Sequence, residues 1–467
     1  MKTDTSNSEM PPLDEAFVHR ITQDFPDEAG TLLRCLDETE PSCAIRLNPA
    51  KRLKYGFTAD HLPIETQIPW CSDGYFLTER PFFAWDPLWH AAAYYVQDAA
   101  SQALSVIKPY LPTEPIRALD LCAAPGGKAT LLSALLPEGS LLVANEPIRK
   151  RAAVLAENIA KWGYPETIVT SVMPERLADT GMQFELILVD APCSGEGMFR
   201  KSVAARTDWS PATVDNCVAR QRQILDAAFR LLSPGGILIY ATCTFNRAEN
   251  EEQLAYLLGK GCQPLSPNIP EAWNWYATSP ASLHLFPHRI KGEGLFLSFI
   301  RKNETTTNEP IRPMRIKNFG SKPSKSCIDW IVGDRFRQGT IHRTEQNECF
   351  LLSDPVAEAC MYLAANRINP LFAGIPLAEQ KGSEWVEHTM LPWSLPFCID
   401  AFETMELTTD QALRYLSGEA LMSESNRRGT VVFTYGGVPL GFGKRVGLRT
   451  NSRYPKSCRL KLLPPRA

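Results

Sequence analysis

The 467-residue sequence predicts an α/β protein built on a mostly parallel sheet with helices on both faces. An α+β extension precedes this sheet and a mostly β unit follows it. Three observations predict this. Strand-like apolar runs alternate with helix-like segments from Pro115 to Leu258, as in repeated βαβ units. Three of those runs end in turns rich in Cys, Gly, Pro or Ser, where a doubly wound sheet presents its ligands. The charge is also one-sided: Arg427 to Ala467 holds ten Lys and Arg and no Asp or Glu.

Taken in order, residues 13–106 mix helix-like and strand-like pieces and lead into a helical stretch, Leu88–Ile107. Strands are predicted at Arg117–Leu121, Ser140–Asn145, Thr167–Ser171, Glu185–Val189 and Gly236–Ala241. Helices are predicted at Lys128–Leu136, Pro147–Trp162, Val214–Leu232 and Glu249–Leu258. Leu231-Leu232-Ser233-Pro234-Gly235-Gly236 supplies turn residues between helix and strand. Gly294–Arg301 reads as a late antiparallel edge strand. The predicted units are 1–110 (an extension), 111–301 (the α/β unit), 302–325 (a polar linker), 326–385 (a small mixed unit) and 392–467 (mostly β, with a helix at Thr409–Leu416).

Composition narrows the function classes. The chain is 44% hydrophobic and 22% charged, ordinary for a globular protein. No apolar run approaches the roughly 18 residues that span a bilayer, so no membrane partner is expected. Met1–Pro12 has no apolar signal core. Thirteen cysteines, an odd number without a CxxC pair, argue against a disulfide framework or a zinc site and for a reducing, cytoplasmic setting. The seven histidines form no metal-like cluster, and nothing demands more than a monomer. With a net charge of −3 overall, the basic end carries +10 and the other 426 residues −13. A basic end on an acidic body points to a polyanion such as a nucleic acid. Arg427, Arg428, Lys444, Arg445, Arg449 and Arg453 are its candidate contacts.

Three turns carry the chemistry. In Cys122-Ala123-Ala124-Pro125-Gly126-Gly127-Lys128, the glycines let backbone approach a ligand at a helix N-terminus. Glu146 ends the next strand, where an acid can bond ribose hydroxyls. Together they suggest an adenosine-containing cofactor. The other two turns are Asp190-Ala191-Pro192-Cys193-Ser194-Gly195 and Ala241-Thr242-Cys243-Thr244-Phe245. A thiolate can add to carbon 6 of a pyrimidine and make carbon 5 able to attack an electrophilic methyl group. Asp190 can stabilise that adduct at ring nitrogen 3, and Cys193 can assist its breakdown. The residues alone leave open which cysteine plays which part. Buried free cysteines are usually plain small hydrophobes; the polar turns around these two favour chemistry.

These three motifs, with Arg46-Leu47-Asn48 and Tyr94-Tyr95-Val96-Gln97-Asp98-Ala99-Ala100-Ser101, resemble the Nol1/Nop2/Sun family of RNA cytosine-5 methyltransferases over most of residues 20–301. Ala412–Glu419, Pro439–Arg445, Asn451 and Tyr454-Pro455 resemble a branch of that family acting on small-subunit ribosomal RNA. The resemblance implies a Rossmann-like class I methyltransferase fold with a PUA-like RNA-binding domain at the C-terminus. It implies S-adenosyl-L-methionine as methyl donor, Cys243 as nucleophile and Cys193 as the residue that resolves the adduct. It implies that Cys122–Lys128 and Glu146 hold the donor, with Asp190 beside donor and base. The partner implied is ribosomal RNA or the small ribosomal subunit.

One position departs from the family. Where it usually has an Asp for the adenine amino group, this chain has Met173, followed by Pro174 and Glu175. Lys201 is a further candidate RNA contact. Arg46 and Asn48 are candidates to support the catalytic loops, while Trp85, Trp89, Tyr94 and Tyr95 suit a core better than a stacking platform. Two rival readings stand beside this one: a transfer RNA methyltransferase with the same site, and a ribosome-assembly RNA-binding protein without activity.

Overall fold

Phe17 and Ile21 point inward from helix α1 (Glu15–Asp24), as do Leu32 and Leu36 from helix α2 (Ala29–Glu38), so each helix buries one stripe. Asp14 caps α1 by accepting the Ala16 N–H at 2.8 Å. The stripes pack on Phe199, Trp209, Phe245 and Phe286 of the central unit, which fixes this extension beside the central turns. The computed structural model describes residues 10–305, 321, 329–344, 347–382, 384–422 and 427–464. Most of the expected 302–325 linker and Arg466 lie outside the described residues.

Four antiparallel strands follow: β1 (Cys43–Leu47), β2 (Ile64–Gln67), β3 (Gly74–Leu77) and β4 (Tyr94–Val96), in the order β2-β3-β1-β4. Helices α3 (Pro49–Tyr55) and α4 (Pro87–His90) lie between them. The expected continuous helix over Leu88–Ile107 is not formed. Ala92 takes a left-handed φ of 49° that ends the helical turn, and Tyr94–Val96 pairs with β1. The chain then runs on as a 3-10 helix, Ala100–Tyr110. Here the backbone bonds offered by β1 win over local helical periodicity.

The central sheet is parallel across β5 (Arg117–Asp120), β6 (Leu141–Asn145), β7 (Thr167–Thr170), β8 (Phe184–Asp190) and β9 (Leu232–Thr242), in the order β7-β6-β5-β8-β9. These strands are buried along almost their whole length, as parallel strands covered on both faces must be. The covering helices are α5 (Gly127–Leu135), α6 (Arg149–Trp162), α7 (Pro174–Ala178), α8 (Val203–Asp208), α9 (Pro211–Leu231) and α10 (Glu251–Gly259). Strand order reverses between β5 and β8, and the crevice at their carboxyl ends is the ligand position of such sheets.

Beyond β9 the sheet turns antiparallel, through β10 (Cys262–Pro264), β11 (Tyr276–Ser279), β12 (Ser282–Leu285) and β13 (Leu295–Lys302). The segment expected as an edge strand, Gly294–Arg301, forms β13, which lies between β9 and β12. Its burial on both faces follows from that interior place.

A second four-stranded sheet, in the order β14-β15-β17-β18, contains β14 (Thr340–Arg343), β15 (Glu348–Leu352), β17 (Ile375–Lys381) and β18 (Glu384–Glu387). Its intervening strand β16 (Phe372–Ala373) leaves it to pair with β7, extending the central sheet. The last sheet holds β19 (Glu403–Glu406), β20 (Leu421–Met422), β21 (Gly429–Tyr435), β22 (Val438–Val446) and β23 (Arg449–Ser452), in the order β19-β21-β22-β23-β20. The units are tied through α3. Lys51 Nζ donates to Ala91 O at 2.6 Å and Lys161 O at 2.5 Å. Lys54 Nζ donates to Leu395 O at 2.6 Å and Phe397 O at 2.7 Å. Among the described residues, no helix is long and apolar enough to cross a membrane.

Candidate active site

The turn after β5 takes its shape from Gly126. Its φ of 115° is left-handed, and a Cβ there would stand 3.3 Å from Leu155. No side chain caps α5, so its first N–H groups are open to an anion. The carbonyls behind the turn are held: Arg151 donates to Ala124 O at 3.0 Å and Asn158 to Pro125 O at 2.8 Å. Cys122 and Ala123 lead into it, with Ala123 N–H bonded to Asn145 O. Lys128 points out of the first turn of α5 to Asp190 Oδ2, at 2.9 Å.

Arg46, from β1, supports this turn from below. It is fully buried, donates to Gln97 Oε1 at 2.7 Å, Thr130 Oγ1 at 2.7 Å and Gly127 O at 3.2 Å, and lies 4.5 Å over the Trp162 ring. Asn48 donates to Ala92 O and Trp162 O, tying the same strand end to the C-terminus of α6. Arg46 thus braces the start of α5, while Asn48 braces the backbone at Ala92 and Trp162. Tyr94 is buried with its hydroxyl on Asp86, while Trp85, Trp89 and Tyr95 are half-buried.

The acids of the pocket sit at successive strand ends. Glu146 is buried and accepts the Ile148 N–H at 3.0 Å, with Arg151 at 3.2 Å on its other oxygen. Asp120, which sequence reasoning did not single out, is fully buried at the end of β5. Neither of its carboxylate oxygens meets a well-formed hydrogen bond, the nearest donor being the Cys122 backbone. Burial, reinforced by Asp190, pushes its pKa up to about 8. An acceptor so placed is ready for a cationic or hydroxyl-bearing ligand, so these residues fit S-adenosylmethionine. Met173 stands at the N-cap of α7, beyond the end of β7, and is 59% exposed. Glu175 follows in the first turn of α7, half-buried.

The two cysteine turns meet over this pocket. Cys193 Sγ lies 3.2 Å from Cys243 Sγ. The hydrogen bond with Cys193 lowers the pKa of Cys243 below that of an ordinary thiol; burial and the Asp190 carboxylate oppose this and Lys128 assists it. The same bond, with burial, raises Cys193 well above the usual value. Cys243 is thus the sulfur that ionises first, and Cys193 the one that keeps its proton. Burial would lower Lys128, but the Asp190 carboxylate outweighs it and raises the ammonium's pKa.

Two buried glutamates, absent from the sequence-level site, lace these turns together. Glu196 accepts from Phe245 N at 2.8 Å, Asn246 N at 3.1 Å and Trp209 Nε1 at 3.1 Å. Glu249 accepts from Ser194 N at 3.0 Å, Ser194 Oγ at 2.5 Å, Asn246 Nδ2 at 2.8 Å and Gln221 Nε2 at 2.8 Å. The sequence shows Glu196 three residues after Cys193 and Glu249 six after Cys243, but not which turn each would bind.

The basic candidates divide. Lys201 is exposed beside the buried Arg200–Glu293 ion pair, 3.1 Å. Arg427, Arg428, Lys444 and Arg449 are exposed at one end of the last sheet. Arg445 and Arg453 correct the expectation. Arg445 is 3% exposed and bonded to both Glu403 oxygens at 2.7 Å, and Arg453 is bonded to Glu387 at 2.8 Å. On β22, Lys444 and Val446 face outward and Arg445 inward, so strand alternation turns Arg445 to its carboxylate. The charge count alone could not separate them.

Comparison with known proteins agrees with this geometry. The model of the family described as 16S rRNA methyltransferase RsmB/F matches residues 110–301. The N-terminal domain of 16S rRNA methyltransferase RsmF matches residues 13–99, and the methyltransferase RsmF PUA domain matches 402–460. Ribosomal RNA small subunit methyltransferase F of Escherichia coli O81 (strain ED1a) is 32% identical over 447 residues, covering 88% of this chain and 89% of that protein. Its counterpart in Klebsiella pneumoniae (strain 342) is 30% identical, covering 84% of each. Among solved structures, a methyltransferase homolog protein from Pyrococcus horikoshii is 25% identical with a TM-score of 0.51, covering 62% of this chain and 95% of that one. NSun6 from the same organism, solved with SFG (an S-adenosylmethionine analogue), shares the fold at 19% identity and a TM-score of 0.53, covering 62% and 98%. The chain belongs to the RsmB/F family of 16S rRNA methyltransferases, within the Nol1/Nop2/Sun enzymes that its motifs resemble.

Proposed function

We propose that this enzyme methylates carbon 5 of one cytidine in small-subunit ribosomal RNA through a covalent bond between Cys243 and carbon 6. The observation that carries this reading is the pair of buried thiols 3.2 Å apart beside the Lys128–Asp190 ion pair. S-adenosylmethionine, when bound, supplies a methyl group on a positively charged sulfur. The open N–H groups at the start of α5 would hold its carboxylate, Asp120 its ammonium and Glu146 its ribose, with Met173 at the rim.

Cys243 enters as the thiolate and adds to carbon 6, and carbon 5 gains the electron density it needs to take the methyl group. Asp190, protonated on Oδ1, donates to ring nitrogen 3, which bears no proton of its own, and recovers that proton when the C6–Sγ bond breaks, while Lys128 holds Oδ2 in place. Once Cys243 is committed to carbon 6, Cys193 gives its proton to solvent, the one proton released per turnover. Cys193 then takes the proton from carbon 5. The C5–H electron pair becomes the C5–C6 double bond, the C6–Sγ bond breaks, and its pair leaves as the Cys243 thiolate. The resting pair is restored. A base in a duplex would be flipped into this pocket, with the RNA gripped by Arg427, Arg428, Lys444, Arg449 and Lys201.

The protein would act as a monomer in a reducing, cytoplasmic setting, in keeping with twelve free cysteines among the described residues. The test is mass spectrometry of ribosomal and transfer RNA from cells with and without the gene. Loss of one 5-methylcytosine from small-subunit RNA is expected. Loss only from transfer RNA would overturn the substrate, and no loss anywhere would favour a protein without activity.

A further inference from the structure

We propose that Glu249 and Gln221 are positioning residues for Cys193, bracketing it so that it can take the carbon 5 proton. Both are fully buried. Gln221, from the middle of α9, donates one Nε2 hydrogen bond to Pro192 O at 3.1 Å and another to Glu249 Oε2 at 2.8 Å. Glu249 in turn accepts from Ser194 N at 3.0 Å and Ser194 Oγ at 2.5 Å. The residues on either side of Cys193 are thus pinned to one amide–carboxylate pair.

The division of labour is clear from the other glutamate. Glu196 holds Phe245 and Asn246, downstream of Cys243, and Gly197 N–H bonds Cys243 O at 2.9 Å. Each cysteine turn is therefore fixed by an acid from the opposite turn. Glu249 holds Ser194 beside Cys193 and also Asn246 of its own turn, while Glu196 holds the backbone just past Cys243. Four donors surround the Glu249 carboxylate, an arrangement suited to the ionised form. Burial raises the Glu249 pKa against those donors, and its charge bears on both thiols alike. Neither residue touches RNA or methyl donor. Each acts through the placement of Cys193.

This inference rests on the proposed role of Cys193 in release, and the experiment separates the two. Wild type, Cys193→Ala, Gln221→Ala and Glu249→Gln are each incubated with small-subunit RNA and S-adenosylmethionine. Protein covalently attached to RNA is read on a denaturing gel beside single-turnover methyl transfer. Gln221→Ala keeps the buried carboxylate, so it serves if Glu249→Gln does not fold. Because misplacement of a reacting group by about 1 Å can cost about 100-fold, release should slow at least about tenfold. Covalent complex should accumulate in Gln221→Ala and Glu249→Gln while methyl transfer stays near wild type. A brace that only held the fold would lower methyl transfer without trapping adduct, and that result overturns the inference. Trapping in Cys193→Ala but in neither other variant overturns it while sparing the role of Cys193. No trapping in Cys193→Ala overturns both.

Discussion

Cys193 Sγ lies 3.2 Å from Cys243 Sγ, close enough for one thiol to donate to the other. The pair is asymmetric, because the bond lowers Cys243 and raises Cys193. Alkylation of Cys243 by iodoacetamide should therefore titrate below the usual cysteine value. Cys193→Ala removes the donor, so the midpoint should move to higher pH, and Cys193→Ser should restore part of the shift. Peptide mass spectrometry across a pH series reads this directly. An unchanged midpoint in Cys193→Ala would contradict the assignment of donor and acceptor.

Arg46 reaches from the N-terminal sheet to the start of α5 through two hydrogen bonds, to Gly127 O and Thr130 Oγ1, and bonds Gln97 within its own unit. Arg46→Ala leaves buried acceptors without partners, which should cost about 3 kcal/mol of stability. Calorimetry should also show weaker S-adenosylmethionine binding, since the same bonds hold α5. Denaturant unfolding checks the first effect; wild-type stability would contradict it.

Gly197 stands where the two cysteine turns cross. A Cβ there would lie 2.7 Å from Gly294 O and 3.0 Å from Cys243 O, backbone atoms that cannot swing aside. Gly197→Ala should destabilise the protein by roughly 1–3 kcal/mol and sharply reduce methyl transfer. Thermal melting and single-turnover assays measure the two effects separately.

The basic end separates into structure and surface. Arg445→Ala strips Glu403 of its partner and should lower the melting temperature. Lys444→Ala and Arg449→Ala should leave melting unchanged and weaken RNA binding, each reducing the salt slope by about 1. Filter binding at several salt concentrations tells these outcomes apart.

The central strands were legible because they are buried on both faces, so each is an unbroken apolar run such as Leu186–Val189. The three chemical turns were legible because their residues are contiguous. What could not be read depends on partners far away in the chain. Leu88–Ile107 carries helical spacing, yet Tyr94–Val96 pairs with a strand some fifty residues earlier. Glu249 meets Ser194 across 55 residues and Glu196 meets Phe245 across 49, and no local pattern encodes either contact. Arg445 was misread because a count of charges ignores the direction in which alternate residues of a strand point. Asp120 fell in the predicted strand Arg117–Leu121, but its burial beside the pocket emerges only once the fold surrounds it.

The most direct test of the account is to trap the enzyme on RNA carrying 5-fluorocytidine, whose carbon 5 has no proton to lose, and to sequence the attached peptide. The nucleotide should be bonded to Cys243 in the wild type, with no covalent complex in Cys243→Ala. Attachment at Cys193, or full methylation of ordinary RNA by Cys243→Ala, would contradict it.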